Sequence, residues 1–228
     1  MFIDRVRQKE QNCHVLENPQ TSETHRETRG RGRPSTIDRE AVSACALALW
    51  DAKGLAGTSW GDIAIASGVS VRTLVRHFSS KEDLAWVGIP SATTRLKRAL
   101  DGADRSDDTA DVIRRAVVES LSTLERSRAS GPQWLHTIAA EPTLRAGSAA
   151  AHRPWVQAIE EFIAFRHPAV FPAVRHAIAV AYQVAAFDAL LAWADAGARS
   201  DMTSEVDSNL RWLRFDLDEA SGPSRPSL

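Results

Sequence analysis

Three observations in the 228-residue sequence predict an all-α protein. Apolar side chains recur at i, i+3, i+4 and i+7 from Ile37 to Leu217, the period of a helix with one buried face. Runs of alternating β-branched residues, which would announce strands, are missing. Gly and Pro punctuate the periodic stretches, at Gly54, Gly57, Gly68, Pro90, Gly102, Gly131-Pro132, His167-Pro168 and Gly197. With 43% hydrophobic and 25% charged residues, the chain has the apolar mass of an ordinary globular protein.

The elements follow in order. Residues 1–36 are poor in apolar side chains and contain Arg29-Gly30-Arg31-Gly32-Arg33-Pro34; such a segment buries too little surface to offset its ordering entropy, and it reads as a flexible basic arm. A first helix starts after Thr36 or Asp38, either able to cap it, with Val42, Cys45, Ala46, Leu49 and Trp50 on one face. A second opens at Thr58 or Ser59 and turns Trp60, Ile63 and Ala64 inward. After Ser67-Gly68-Val69-Ser70, Ser70 caps a short third helix carrying Leu74 and Phe78. Ser79-Ser80 caps a fourth that begins at Lys81 and is ended or kinked by Pro90. Residues 37–88 thus form one compact domain. Longer helices are expected near 92–101, 109–127, 132–140, 142–166 (interrupted by Pro154), 172–196 and 203–217, forming a second domain over 89–217 before a disordered tail at 218–228.

Composition excludes several classes. Cys13 and Cys45 cannot build a disulfide framework or a paired-cysteine metal site. No stretch is expected to span a membrane and the polar start lacks a signal-peptide core, so a cytoplasmic, nucleoid-associated protein is expected. There is no nucleophile elbow, no His-Glu-x-x-His and no phosphate-cradling glycine loop, and His152, His167 and His176 lack metal-ligand spacing. Neither an enzyme, a metal site nor a cofactor is expected. The formal charge of −1 excludes a basic coat.

Local charge tells more. The segment Ile63-Ala64 to Gly68-Val69-Ser70 has the small residue and the turn glycine that a helix-turn-helix needs, although a generic helical hairpin with a glycine cap would look alike. Between Ile63 and Lys81 there is no acid, while Arg72, Arg76 and Lys81 supply cations. Arg72 and Arg76 share a helix face away from Leu74 and Phe78. Two like charges at that spacing repel by a few tenths of a kcal/mol, so a purely structural helix gains nothing from them. A helix laid in the major groove gains phosphate neutralisation and guanine contacts.

The run Thr58-Ser59-Trp60-Gly61-Asp62-Ile63-Ala64, followed by Gly68-Val69-Ser70-Val71-Arg72-Thr73-Leu74-Val75-Arg76-His77-Phe78-Ser79-Ser80-Lys81-Glu82-Asp83-Leu84, resembles the DNA-binding signature of TetR-family transcriptional regulators. The resemblance implies an N-terminal three-helix helix-turn-helix DNA-binding domain followed by a larger helical ligand-binding and dimerisation domain. It assigns phosphate contacts to Thr58, Thr73, His77 and Lys81, base-edge contacts to Val71, Arg72 and Arg76, and a minor-groove or backbone role to Arg31 and Arg33. Val75 departs from the pattern where the family usually has an aromatic residue, so one backbone contact is expected to be lost. His77 also replaces an aromatic and keeps a hydrogen-bond donor.

The same resemblance implies a homodimer on a palindromic double-stranded operator, joined through the last two long helices. The stretch 173–193 is apolar nearly all round and must be covered on more than one side. A small apolar effector is expected in the second domain, with Trp134, His136, Trp155, Ile159, Phe162, Tyr182 and Phe187 as candidate pocket residues, although aromatics at helical spacing are more often simply core. The pattern Glu141-Pro142-Thr143-Leu144 with Trp155 and Ala186-Phe187-Asp188 is similar to regulators associated with the mycofactocin system, some of which sense acyl-CoA compounds. No basic cluster in residues 131–193 suits CoA phosphates. The leading expectation is a ligand-responsive repressor; the alternative is a DNA-binding dimer whose second domain only dimerises.

Overall fold

The structure is a computed structural model that describes residues 37–122, 131–215 and 217; the expectations for the arm, with Arg31 and Arg33, and for the tail lie outside the described residues. The fold is all-α, and no β-strand is found among the described residues. The chain divides into two compact units, Met1–Val87 and Gly88–Leu228.

The first unit holds α1 (Arg39–Lys53), α2 (Trp60–Ser67), α3 (Val71–His77) and a 3-10 turn (Glu82–Trp86). Each helix starts at a polar cap. Asp38 accepts the Ala41 N–H, and Ser70 accepts the Thr73 N–H. Ser59 and Asp62 form a reciprocal capping box, each side chain accepting the other's backbone N–H. Hydrogen bonds from the Ser59 hydroxyl and from Lys53 hold the Asp62 carboxyl well below its ordinary range. Val42, Ala46, Trp50, Ile63, Leu74, Phe78 and Leu84 close the core, each 3% exposed or less. Burying the branched and aromatic side chains among these contributes about 1.5–3 kcal/mol apiece.

The second unit contains α4 (Ile89–Asp101), α5 (Thr109–Ser120), α6 (Gly131–Ala140), α7 (Pro142–Ala151), α8 (Arg153–Arg166), α9 (Pro172–Asp195) and α10 (Met202–Leu210). The helix α9 packs against α8, α10 and α6, and α4 against α5 and α8. Three details differ from the sequence expectations. Pro90 does not end a helix: it stands in the first turn of α4, where its missing N–H would have no partner in any case. Pro154 likewise opens α8, and the break falls at His152. The last helix stops at Leu210, where 3-10 type bonds such as Leu213 N–H to Leu210 O tighten the turn and release Phe215 and Leu217 from the helical stripe.

A fourth concerns the membrane. The helix α9 is long and apolar enough to span one by length and composition, with a mean hydropathy of 1.6 over its best window. It is built into the core instead: Ala179, Tyr182, Ala186, Leu190 and Ala194 are buried in the unit. The Tyr182 hydroxyl donates to Ala110 O at 3.0 Å, and its ring meets Phe215 edge-on at 5.5 Å. Arg114 of α5 is paired with Asp207 of α10, tying the two helices together.

Candidate nucleic-acid interface and a cleft in the second unit

The turn between α2 and α3 depends on Gly68, whose φ of 68° lies in the left-handed region that side chains resist. It ends α2 and lets Ser70 cap α3 two residues later. Leu74, fully buried, and Phe78, 2% exposed, then anchor α3 from below. That anchoring fixes which residues point outward: Val71, Arg72, Val75 and Arg76 are exposed, and Thr73 and His77 half-buried. Arg72 and Arg76 meet no acidic partner among the ion pairs of the described residues.

Arg39, outside the DNA signature, and Asp83, within it, hold this helix in place. The Arg39 guanidinium lies 4.3 Å from the Phe78 ring centroid and donates to His77 O at 3.0 Å. It therefore stacks on the anchor and takes up a carbonyl at the end of α3, where a cation also complements the helix dipole. Asp83 accepts the Ser79 and Ser80 N–H groups at 2.9 and 3.0 Å, fixing the exit from the helix. Periodicity could not reveal Arg39, which looks like one more solvated charge at the start of α1.

The expected phosphate contacts divide. The Thr73 hydroxyl is bonded to the Ser70 hydroxyl at 2.9 Å while its residue remains half-exposed. The His77 ring nitrogen Nε2 lies 3.3 Å from Arg76 Nη2, next to the exposed face. Thr58 must be corrected: it is 1% exposed and its hydroxyl donates to Gly54 O at 2.8 Å, so it braces the loop after α1 instead of meeting solvent. Lys81 is half-buried, and its ammonium donates to Thr58 O at 2.5 Å and Leu55 O at 3.2 Å. The lysine spans from the 3-10 turn to the α1–α2 loop and positions the start of α2.

In the second unit, none of the seven expected pocket residues lines the cleft found among the described residues. His136 is exposed, with Asp195 the nearest carboxylate at 4.0 Å. Trp155, Ile159, Tyr182 and Phe187 are buried as core, Phe187 tilted against the His152 ring at 5.6 Å. Trp134 and Phe162 are half-buried, Phe162 beneath the Arg166 guanidinium. The reason is that aromatic spacing on one helix cannot tell a filled interface from an open one. A cleft of about 230 Å³ opens elsewhere, lined by Asp108, Thr109, Ile113, Ile163, His167, Ile178, Phe215 and Leu217 among others. Its polar end is the Thr109 hydroxyl hydrogen-bonded to His167 Nε2 at 2.8 Å. Burial pushes the Tyr182 hydroxyl, which bonds the adjacent Ala110, far above its ordinary pKa, so it stays a neutral donor.

Comparison with known proteins agrees with the geometry of the first unit. The sequence model of the bacterial regulatory proteins, tetR family, matches residues 44–85. A Mycobacterium tuberculosis protein named as a transcriptional regulator of mycofactocin biosynthesis, MftR, is 29% identical over 142 residues, 62% of this chain and 71% of that protein. Among solved structures, FadR of Thermus thermophilus, a TetR family transcriptional repressor in complex with lauroyl-CoA, is similar at 20% identity and a TM-score of 0.48, covering 83% of this chain and 98% of FadR. PfmR, a TetR family regulator also from Thermus thermophilus, is similar at 17% identity and a TM-score of 0.46, covering 76% of this chain and 99% of PfmR. With a matched helix-turn-helix whose recognition helix turns two arginines outward from a buried anchor, the first unit carries a DNA-binding domain of the kind found in the bacterial regulatory proteins of the tetR family, and the relatives support a TetR-type transcriptional regulator.

Proposed function

We propose that the protein is a dimeric repressor that holds a palindromic operator and lets go of it when a small apolar ligand enters its second unit. The observation that carries the DNA half is the exposed pair Arg72 and Arg76 on a helix fixed by Leu74 and Phe78. In this reading Val71, Arg72 and Arg76 face base edges, Thr73 and His77 approach phosphates, and Arg31 and Arg33 reach backbone or minor groove. Lys81 and Thr58 serve by positioning. The domain limits expected from sequence, with reading in residues 37–88 and sensing in 89–217, are part of the proposal.

Dimerisation through α9 and α10 is supported by the outer side of α9, where Ala173, Ala177, Val184 and Ala192 are exposed. Val184 is 47% exposed on an otherwise core helix, and small neighbours would allow a second copy to approach closely. Two recognition helices must lie about 34–36 Å apart to enter successive major grooves, so a ligand acts by changing that separation.

The cleft at Thr109 and His167 is the proposed effector site, replacing the aromatic set expected from sequence. Its 230 Å³ falls below the roughly 300–1,000 Å³ that drug-sized ligands occupy. No Lys or Arg is among the described residues that line it, which favours a small apolar guest over a whole acyl-CoA. The test is selection of bound duplexes from a random DNA pool, followed by size measurement of the complex. A palindromic winner bound by two chains supports the proposal, and absence of any enriched sequence refutes it.

A further inference from the structure

We infer that Val71 and Val75 read the 5-methyl groups of thymine, making the operator half-site thymine-bearing opposite α3. The inference rests on the DNA-reading function proposed above and adds the chemistry of what is read. Val71 and Val75 are 41% and 50% exposed, which places both among the large apolar side chains of the described residues that face solvent. They are four residues apart, so they stand one above the other on one face of α3, and Arg72 and Arg76 form the adjacent stripe. The outer surface of this helix is therefore one apolar row beside one cationic row, over a buried Leu74.

Each row matches a different feature of the major groove. Arginine forks pair with guanine O6 and N7, and the apolar element on a base edge there is the thymine methyl. A β-branched valine suits that target, because its stiff χ1 presents two methyl groups without a large loss of rotamer freedom. Along the helix the two valines are separated by about 6 Å, and base pairs rise about 3.4 Å per step. Two thymines within about two steps of each other are thus within reach. Val75, which lacks the donor for a phosphate, acquires a role of its own: the residue change moves this position from backbone to base.

The test starts from the duplex selected from a random pool. Each thymine facing α3 is replaced in turn by deoxyuridine, which removes the methyl and leaves every hydrogen-bonding group. At the contacted positions affinity should fall about fourfold per methyl, the equivalent of exposing one buried methyl group. With Val75→Ala or Val71→Ala, checked for folding by circular dichroism, the cognate thymine and deoxyuridine duplexes should bind equally at one of those positions. An enriched operator whose thymines all tolerate deoxyuridine would overturn the inference and leave the DNA-reading function standing. So would valine variants that weaken both duplexes by the same factor. If no sequence is enriched, the proposed function itself fails, and this inference with it.

Discussion

Replacing Lys81 by Met separates a positioning residue from a phosphate contact. Methionine keeps the apolar stem and removes the ammonium. The ammonium donates to Thr58 O at 2.5 Å and to Leu55 O at 3.2 Å, and both residues are buried, at 1% and 6% exposure. Leu55 O keeps a second partner in the Thr58 N–H, at 3.2 Å, so the loss falls mainly on Thr58 O. A hydrogen bond from a charged donor contributes about 1.5–3 kcal/mol, and the half-buried lysine belongs at the lower end. A domain of this size loses about 4–8 °C of Tm per kcal/mol, a shift readily seen by circular dichroism. The salt dependence of operator affinity should keep its slope, because no phosphate partner has been removed. A phosphate-binding lysine would behave in the opposite way, flattening that slope by about 0.9 with little change in melting. A flattened slope at unchanged Tm would refute the positioning role.

Three further outcomes are expected. Arg72→Ala should cost roughly 1–3 kcal/mol on the selected operator and relax preference at one base position; equal losses on operator and random DNA, measured by fluorescence anisotropy, would remove Arg72 from base reading. Gly57→Ala should destabilise the first unit by about 1–3 kcal/mol, because the added Cβ would be driven into Lys53 O, whereas Gly61→Ala meets a tolerable 3.4 Å contact with Ser59 Oγ; chemical denaturation of the two variants checks the difference. Burial lowers the pKa of the His152 imidazole from 6.5 despite its bond to Ser148 O. The unfolded chain therefore binds this proton more readily. Stability from this group is complete above about pH 6.5 and declines as pH falls from there through the lower folded value, by at most about 1.4 kcal/mol per pH unit. Urea titrations of His152→Gln should show a shallower loss over that window than the parent.

What was legible in the sequence was local. Asp38, Ser59 and Ser70 each cap the helix that their position announces, since a cap and its N–H partner lie two or three residues apart. The anchors Leu74 and Phe78 and the outward arginines follow from a single helical period. What escaped was long-range. Lys81 reaches back 26 residues to Leu55, Arg39 forward 38 to His77, and Thr109 across 58 to His167. No spacing rule carries that information, and a lysine after a recognition helix looks the same whether it ends on a phosphate or on a carbonyl.

The same asymmetry explains why the two halves of the proposed function differ in how they can be read. Within residues 29–88 the cations exceed the acids by eight to six, against a whole-chain charge of −1, so no bulk field draws DNA to this protein. Its attraction has to come from where the charges stand. Asp62 and Asp83 are taken up by capping bonds to the backbone, and Lys53 by its pair with Asp62. Arg72 and Arg76 remain outward on the acid-free stretch from Ile63 to Lys81. A DNA surface can thus be made from a nearly neutral domain by spending its acids on helix caps, and that surface is written in contiguous residues. The cleft in the second unit draws its walls from α5, α8, α9 and the segment after α10. It exists because Leu210 ends a helix early, a packing outcome that apolar periodicity through Leu213 and Leu217 concealed.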